Sequence, residues 1–195
     1  MTPESLHPID TESCNSIIKT ESKLMTLLNE EKIMAMLHHA GKNPTGLIAE
    51  VGVYNGGFTE ILSDNLSDAK IYAYDTFEGM PESCWSKQEY HHVGEFKPKL
   101  DVVKILNNRK NVVVRRGIFP ESIGDETGFW MVHLDVDFYL STLNSLIVLR
   151  DRMVKGGAIF LDDWDWPNCL GVRKAVEELG FNAIQTVKHQ AVINF

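Results

Sequence analysis

The sequence is poor in cysteine, in basic charge and in long apolar runs. Cys14, Cys84 and Cys169 are the three cysteines of 195 residues. Their odd number and wide spacing give no disulfide framework, and no CxxC pair offers a zinc pattern. A reducing compartment is the simpler expectation. No apolar stretch approaches the ~20 residues that span a bilayer, so no membrane segment is expected. The opening "MTPESLHPIDTES" lacks a basic region followed by an apolar one, and a cytoplasmic protein is expected. Lys and Arg total 19 against 27 Asp and Glu, for a net charge of −8. That balance argues against a broad basic face for nucleic acid. It leaves room for a local basic pocket and mildly favours cationic ligands and divalent metals. Internal repeats, low-complexity tracts and linkers are absent too. One domain over 1–195 is expected, with an N-terminal helical segment (1–45) and an α/β core (46–195).

What is present is an alternation. After a polar lead-in over 1–12, spacings of three and four predict one long helix or two shorter ones over about 16–40, closed by "GKNP". Short apolar runs then alternate with amphipathic stretches. "GLIAEVGV", "KIYAYD", "NVVVRRG", "FWMVHLDVD" and "GGAIFLDDW" read as strands. "GGFTEILSDNL", "KLDVVKILNNR", "YLSTLNSLIVLRDRM" and "GVRKAVEELG" read as helices. "FNAIQTV" and "QAVINF" close the chain around a turn at Lys188 and His189, and lack a helix between them. Seven strands follow, in a mostly parallel sheet with an antiparallel last strand. Segment 79–98 has no period, and about twenty patternless residues inside a compact domain suggest a lid or binding loop.

The chemistry gathers at strand ends. In "AEVGVYNGGFTEIL" Gly52 permits a sharp turn, while Gly56 and Gly57 allow close approach of a ligand to a helix N-terminus. The spacing is not that of a dinucleotide-binding GxGxxG. Asp75, ending "KIYAYD", is placed to accept two ribose hydroxyls, which with the glycine turn points to a nucleoside cofactor. Further along, His133, Asp135 and Asp137 share a face if their strand stays extended. Asp162 and Asp163 end the next strand and converge on Asp135 in the usual topology. Carboxylates so close repel unless protonated or bound to a cation. An oxygen-only donor set points to Mg²⁺, Mn²⁺ or Ca²⁺. The residues alone do not separate metal ligand from general base.

Glu50-x-Gly52 with Gly56-Gly57, then "DTFEGMP", "HHVGEF", "HLDVDFYLST", "GGAIFLDDW" and "CLGVRKAVEE", resemble in order the marks of the macrocin O-methyltransferase-like (TylF) family. The resemblance covers roughly 46–180. Val136 stands where the family usually has Gly, and "GIFPESI" where it usually has "GxFxDTLP". The resemblance implies a class I methyltransferase (Rossmann-like) fold, with helices on both faces of the sheet and an N-terminal helical cover. It implies S-adenosylmethionine and Mg²⁺ as cofactors and a sugar-containing small molecule as substrate. It implies Asp135, Asp162 and Asp163 as metal ligands and Asp137 as general base. Glu50, Gly52, Gly56, Gly57, Asp75, Thr76 and Asp135 are the candidate cofactor contacts.

Among the remaining candidates, the resemblance puts a histidine of the pair His91 and His92 near the substrate. Trp164 and Trp166 either stack on a sugar or adenine ring or pack the strand exit. Asp165 lies close enough to stand in for a neighbouring acid. Arg115 or Arg116 either contacts a ligand or is solvated. The first helix covers the cofactor, buries against a second subunit in a homodimer, or is plain core. Besides methyl transfer to a sugar hydroxyl, three readings stay open. One is a catechol or phenol acceptor, one is a glycosyltransferase using "DVD" as a DxD motif, and one is a binding protein without activity.

Overall fold

The computed structural model describes residues 24–195. Seven strands form one sheet: β1 (Leu47–Val51), β2 (Lys70–Asp75), β3 (Val112–Arg116), β4 (Phe129–Leu134), β5 (Met153–Asp162), β6 (Ala183–Val187) and β7 (Gln190–Asn194). Their order is β3-β2-β1-β4-β5-β7-β6. All neighbouring pairs from β3 to β5 are parallel, and β7 runs antiparallel to both β5 and β6. The expected strand count and the single reversed strand are both found. The reversal follows from the turn at Lys188 and His189, too short for a crossover.

Among the described residues five α-helices cover the sheet: α1 (Glu30–Gly41), α2 (Gly57–Asn65), α3 (Val102–Leu106), α4 (Tyr139–Leu149) and α5 (Leu170–Glu178). Because side chains alternate along a strand, each strand feeds two cores. Ile48, Ile71, Met131 and Phe160 pack under α1, α2 and α3. Val51, Tyr74, Leu134 and Leu161 pack under α4 and α5. A register irregularity between Phe129 and Met131 moves Phe129 onto the second face although it lies two residues from Met131.

The N-terminal cover differs from expectation. Residues 16–23 of the expected helix lie outside the described residues, as does Cys14. Residues 24–29 are not helical, and α1 begins at Glu30 with Asn29 accepting from the Lys32 backbone N–H. Apolar spacing at Leu24, Leu27 and Leu28 suggested a helix. Those residues instead form a strap tied by the Leu24 N–H to Glu60 on α2. The asparagine cap stops helix growth upstream, since it satisfies a first-turn donor in an extended conformation. Among the described residues no helix is long and apolar enough to cross a membrane.

Candidate active site

The parallel strands end on one edge of the sheet, and a cavity of about 430 Å³ opens there. That lies within the ~300–1,000 Å³ typical of small-molecule sites. It sits at the switch between β1 and β4, where crossovers diverge to opposite faces.

One wall is the turn after β1. Gly52 has φ +92°, and a Cβ there would collide with the Asp135 carbonyl oxygen, so only glycine lets β1 and β4 end so close together. Asp75 holds the turn: its Oδ2 accepts from the N–H groups of Val53 (2.7 Å) and Tyr54 (2.9 Å), and its Oδ1 from Phe77 (2.7 Å). The sequence offers Asp75 either ribose hydroxyls to accept or the place of a turn or N-cap aspartate. The structure adds backbone donors, and an ionised carboxylate has lone pairs enough for both. Thr76 lines the cavity beside it. Gly56 caps α2 in a left-handed conformation. The space beside Gly57 is filled by the backbone of Met25 and Thr26, so at that helix N-terminus the close approach is made by the chain's own strap.

The floor is a row of polar groups on the α1 side. Glu50, His133 and Asp162 follow the apolar Ile48, Met131 and Phe160 at i+2 spacing. Glu50 is buried and accepts from the Thr59 hydroxyl. Burial pushes its carboxyl up to about 8, against the pull of that bond. His133 is equally buried, and neither ring nitrogen has a hydrogen-bond partner among the described residues. Burial, then the Lys32 charge, holds its pKa down at about 3, so the ring is neutral. Lys32 comes down from α1 and pairs with Asp162, both nearly buried. Nothing in the helical pattern of 30–41 singled out Lys32. Its role depends on which face of α1 meets the strand ends.

The acids form the far wall. Asp135 continues the β4 pairing through its N–H to the Val51 carbonyl, 2.9 Å. Asp137 does not, because its φ is +53°, and Asp163 likewise has φ +55°. The extended geometry assumed for His133, Asp135 and Asp137 therefore holds for the first two only. The left-handed bend at Asp137 turns its carboxylate back toward Asp163. Asp135, Asp137 and Asp163 present oxygens within 4.8 Å of one another, and His133, Asp135 and Asp162 form a second such group. Asp135 is thus common to both. Burial, then the Asp162 and Asp137 charges, raises the Asp135 pKa well above the carboxylate range; burial and Asp163 do the same to Asp137. Without a cation the ionised forms of these groups are disfavoured. An all-oxygen set whose charges cannot coexist unaided fits a hard divalent cation.

The outer candidates separate. His91 lines the cavity, with Nε2 3.9 Å from Asp137 Oδ1. His92 is exposed, and it is tied to Glu95 through its backbone N–H and carbonyl. Trp166 lines the cavity, whereas Trp164 packs against the α4–α5 core under the Arg173 guanidinium. Asp165 is held by His189 (2.6 Å) and Gln185 (3.1 Å). Arg115 and Arg116 pair with Glu126 and Glu78. Segment 79–98 carries only a one-turn 3₁₀ helix, Glu82–Cys84. Gly79, Met80, Pro81, His91 and Phe96 bring it into the cavity wall. Its Glu89 accepts from the Tyr139 N–H at the start of α4, 3.0 Å, and so caps that helix from the loop. Cys169, at the N-cap of α5, donates to Asp137 Oδ1 at 3.5 Å. Burial and the facing acids push its thiol up, so it is not a nucleophile.

The sequence profile of the macrocin-O-methyltransferase (TylF) family matches residues 30–190. No curated protein matches the chain. Among solved structures, the O-methyltransferase NovP is 20% identical with a TM-score of 0.68, over 84% of this chain and 78% of that one. CalS11, a calicheamicin methyltransferase, is 18% identical with a TM-score of 0.71, over 84% and 77%. An O-methyltransferase from Bacillus cereus in complex with SAH is 15% identical with a TM-score of 0.59, over 86% and 82%. At these identities the likeness is one of fold.

Proposed function

The chain belongs to the macrocin-O-methyltransferase (TylF) family, and we propose that it transfers a methyl group from S-adenosylmethionine to a hydroxyl of a sugar-containing small molecule, with the help of a divalent cation. The observation that carries this reading is the meeting, in one cavity, of the Asp75-held turn with the acids after β4 and β5. An adenosine-bearing cofactor fits over the turn, with Asp75 and Thr76 toward its ribose. Glu50 supports the turn from below through Thr59 on α2. The NovP and CalS11 likenesses support a small sugar-containing acceptor; CalS11 is also described as a TDP-rhamnose 3'-O-methyltransferase.

Asp135, Asp162 and Asp163 would hold Mg²⁺. When bound, the cation supplies Lewis-acid stabilisation of the alkoxide that develops on the acceptor. Asp137 takes the hydroxyl proton as general base. His91 stands against Asp137 at the cavity wall, on the side where the acceptor would enter. The strap at 24–28 and segment 79–98 flank the cavity mouth and exclude water from the transfer. Fixing acceptor and donor side by side supplies much of the rate.

A titration with S-adenosylhomocysteine, with and without Mg²⁺, followed by a panel of glycosides, nucleotide sugars and catechols, tests the reading. Cofactor binding with methylation of a sugar hydroxyl supports it. Methylation of catechols alone would replace the acceptor. Binding of nucleotide sugars without S-adenosylhomocysteine would overturn it.

A further inference from the structure

Asp137 has neighbours on its other side that the methyl-transfer reading does not use as metal ligands. The Sγ of Cys169 lies 3.5 Å from Asp137 Oδ1, and the Nε2 of His91 lies 3.9 Å from the same oxygen. All three donor atoms fall within 4.8 Å of one another. Zinc bound at ~2.0–2.3 Å to such donors sets them about 3.3–3.7 Å apart. The two spacings to Asp137 need only a few tenths of an ångström of adjustment, and the third pair closes as the His91 and Cys169 side chains turn inward. His91 is also oriented for the task. Its Nδ1 is 3.2 Å from Glu95 Oε2, and a proton donated there leaves the Nε2 lone pair facing Asp137. Histidine ligands of zinc commonly give their second nitrogen to a carboxylate in this way. Aromatic contacts with Tyr90 and Phe96 hold the ring. Cys169 stands at the N-cap of the nine-residue α5 and makes no cap bond there, so its sulfur is free to turn toward the acids.

We propose that His91, Asp137 and Cys169 form a second metal site, selective for a thiophilic divalent cation such as Zn²⁺, beside the all-oxygen acid cluster and sharing Asp137 with it. Mg²⁺ has no use for sulfur and takes the oxygen set. A softer ion takes the nitrogen–sulfur–oxygen set and displaces the thiol proton as it binds. One position stays open to the cavity. The consequence for activity rests on the proposed role of Asp137: Zn²⁺ in this site occupies the base and stops turnover even when Mg²⁺ is saturating.

Cobalt alone, titrated into the full chain under reducing conditions, reads the site without reference to catalysis. The expected result is one equivalent bound, with a sulfur-to-cobalt charge-transfer band and the strong visible bands of four-coordinate Co²⁺. Excess Mg²⁺ leaves the band in place and Zn²⁺ removes it. Cys169→Ser abolishes the charge-transfer band. His91→Ala, in a segment outside the helices and strands, weakens Co²⁺ binding more than tenfold, and Glu95→Gln weakens it about tenfold. Absence of the band at saturation overturns the proposal, and so does its persistence at full intensity in Cys169→Ser, which would assign it to Cys14 or Cys84. Loss of the band with Mg²⁺ also overturns it, because the two sites would then be one. A protein that shows the band but methylates no acceptor keeps the metal site and loses the proposed function.

Discussion

Asp75 ends β2 and Asp137 follows β4 at the same edge of the sheet, yet their charges are met in opposite ways. Three backbone N–H groups point at Asp75, at 2.7–2.9 Å. Around Asp137 stand Asp163 and, beyond it, Asp135 and Asp162, with Lys32 pairing one acid of the four. The first region is complete as it stands and rigid through its own amides. The second carries more negative charge than the protein neutralises, and so has affinity to spare for cations. A preformed cradle beside an electrostatic deficit suits a nucleoside donor seated next to a metal-assisted acceptor.

The contrast breaks first at Asp137. Asp137→Asn is expected to lower turnover by ~10²–10⁴, the usual worth of a general base, while S-adenosylhomocysteine binds within about twofold of wild type by calorimetry. Unchanged turnover would remove Asp137 from that role. Lys32→Met probes the counter-charge. Losing one partner of a buried pair costs about 3–5 kcal/mol, so urea unfolding without metal should show a loss of that order. Added Mg²⁺ should stabilise the variant more than the wild type, since it takes over from the missing ammonium. Equal stability of the two metal-free proteins would show that Lys32 is not needed there.

On the other side, Asp75→Ala strands three backbone donors. A loss of about 2–3 kcal/mol is expected, together with weaker S-adenosylhomocysteine binding. Asp75→Asn, which keeps one acceptor oxygen, should lose less of both. The smallest effect concerns pH. The Glu50 carboxyl is raised from 4.5 to about 8 in the folded protein, so folding favours its neutral form. Its contribution to stability is full below about 4.5 and is lost as pH rises through about 8. Glu50→Gln should therefore flatten the fall in metal-free melting temperature between about pH 5 and pH 9. An identical slope in both proteins would mean that Glu50 ionises freely.

The reading of the sequence succeeded where one residue type has one structural use. Continuous Val, Ile and Leu runs gave buried parallel strands, and Gly52 gave the turn. The placement of Asp135, Asp162 and Asp163 at one edge of the sheet followed from the strands that lead to them, whereas their division into two groups that share Asp135 did not. It failed where a local pattern was overruled by a partner far along the chain. Leu24, Leu27 and Leu28 have helical spacing but lie outside any helix, tied through Leu24 to Glu60 and closed off by the Asn29 cap. Trp164 and Trp166 were equivalent in the sequence. The left-handed step at Asp163 puts one against the core and the other in the cavity. Lys32 and Cys169 gave no signal at all, because a lone lysine on a helix and a lone cysteine before one are ordinary until their neighbours are known.

By itself the sequence determined the alternation of strands and helices, and with it the edge on which the acids must fall, since hydrophobic periodicity and the handedness of crossovers leave little choice. Only the tertiary structure decided which groups share a charge. Lys32 meets Asp162 across 130 positions of chain, and Cys169 meets Asp137 because α5 starts against a left-handed bend. Electrostatic energy falls with distance in space, and distance in space is what the order of residues does not record.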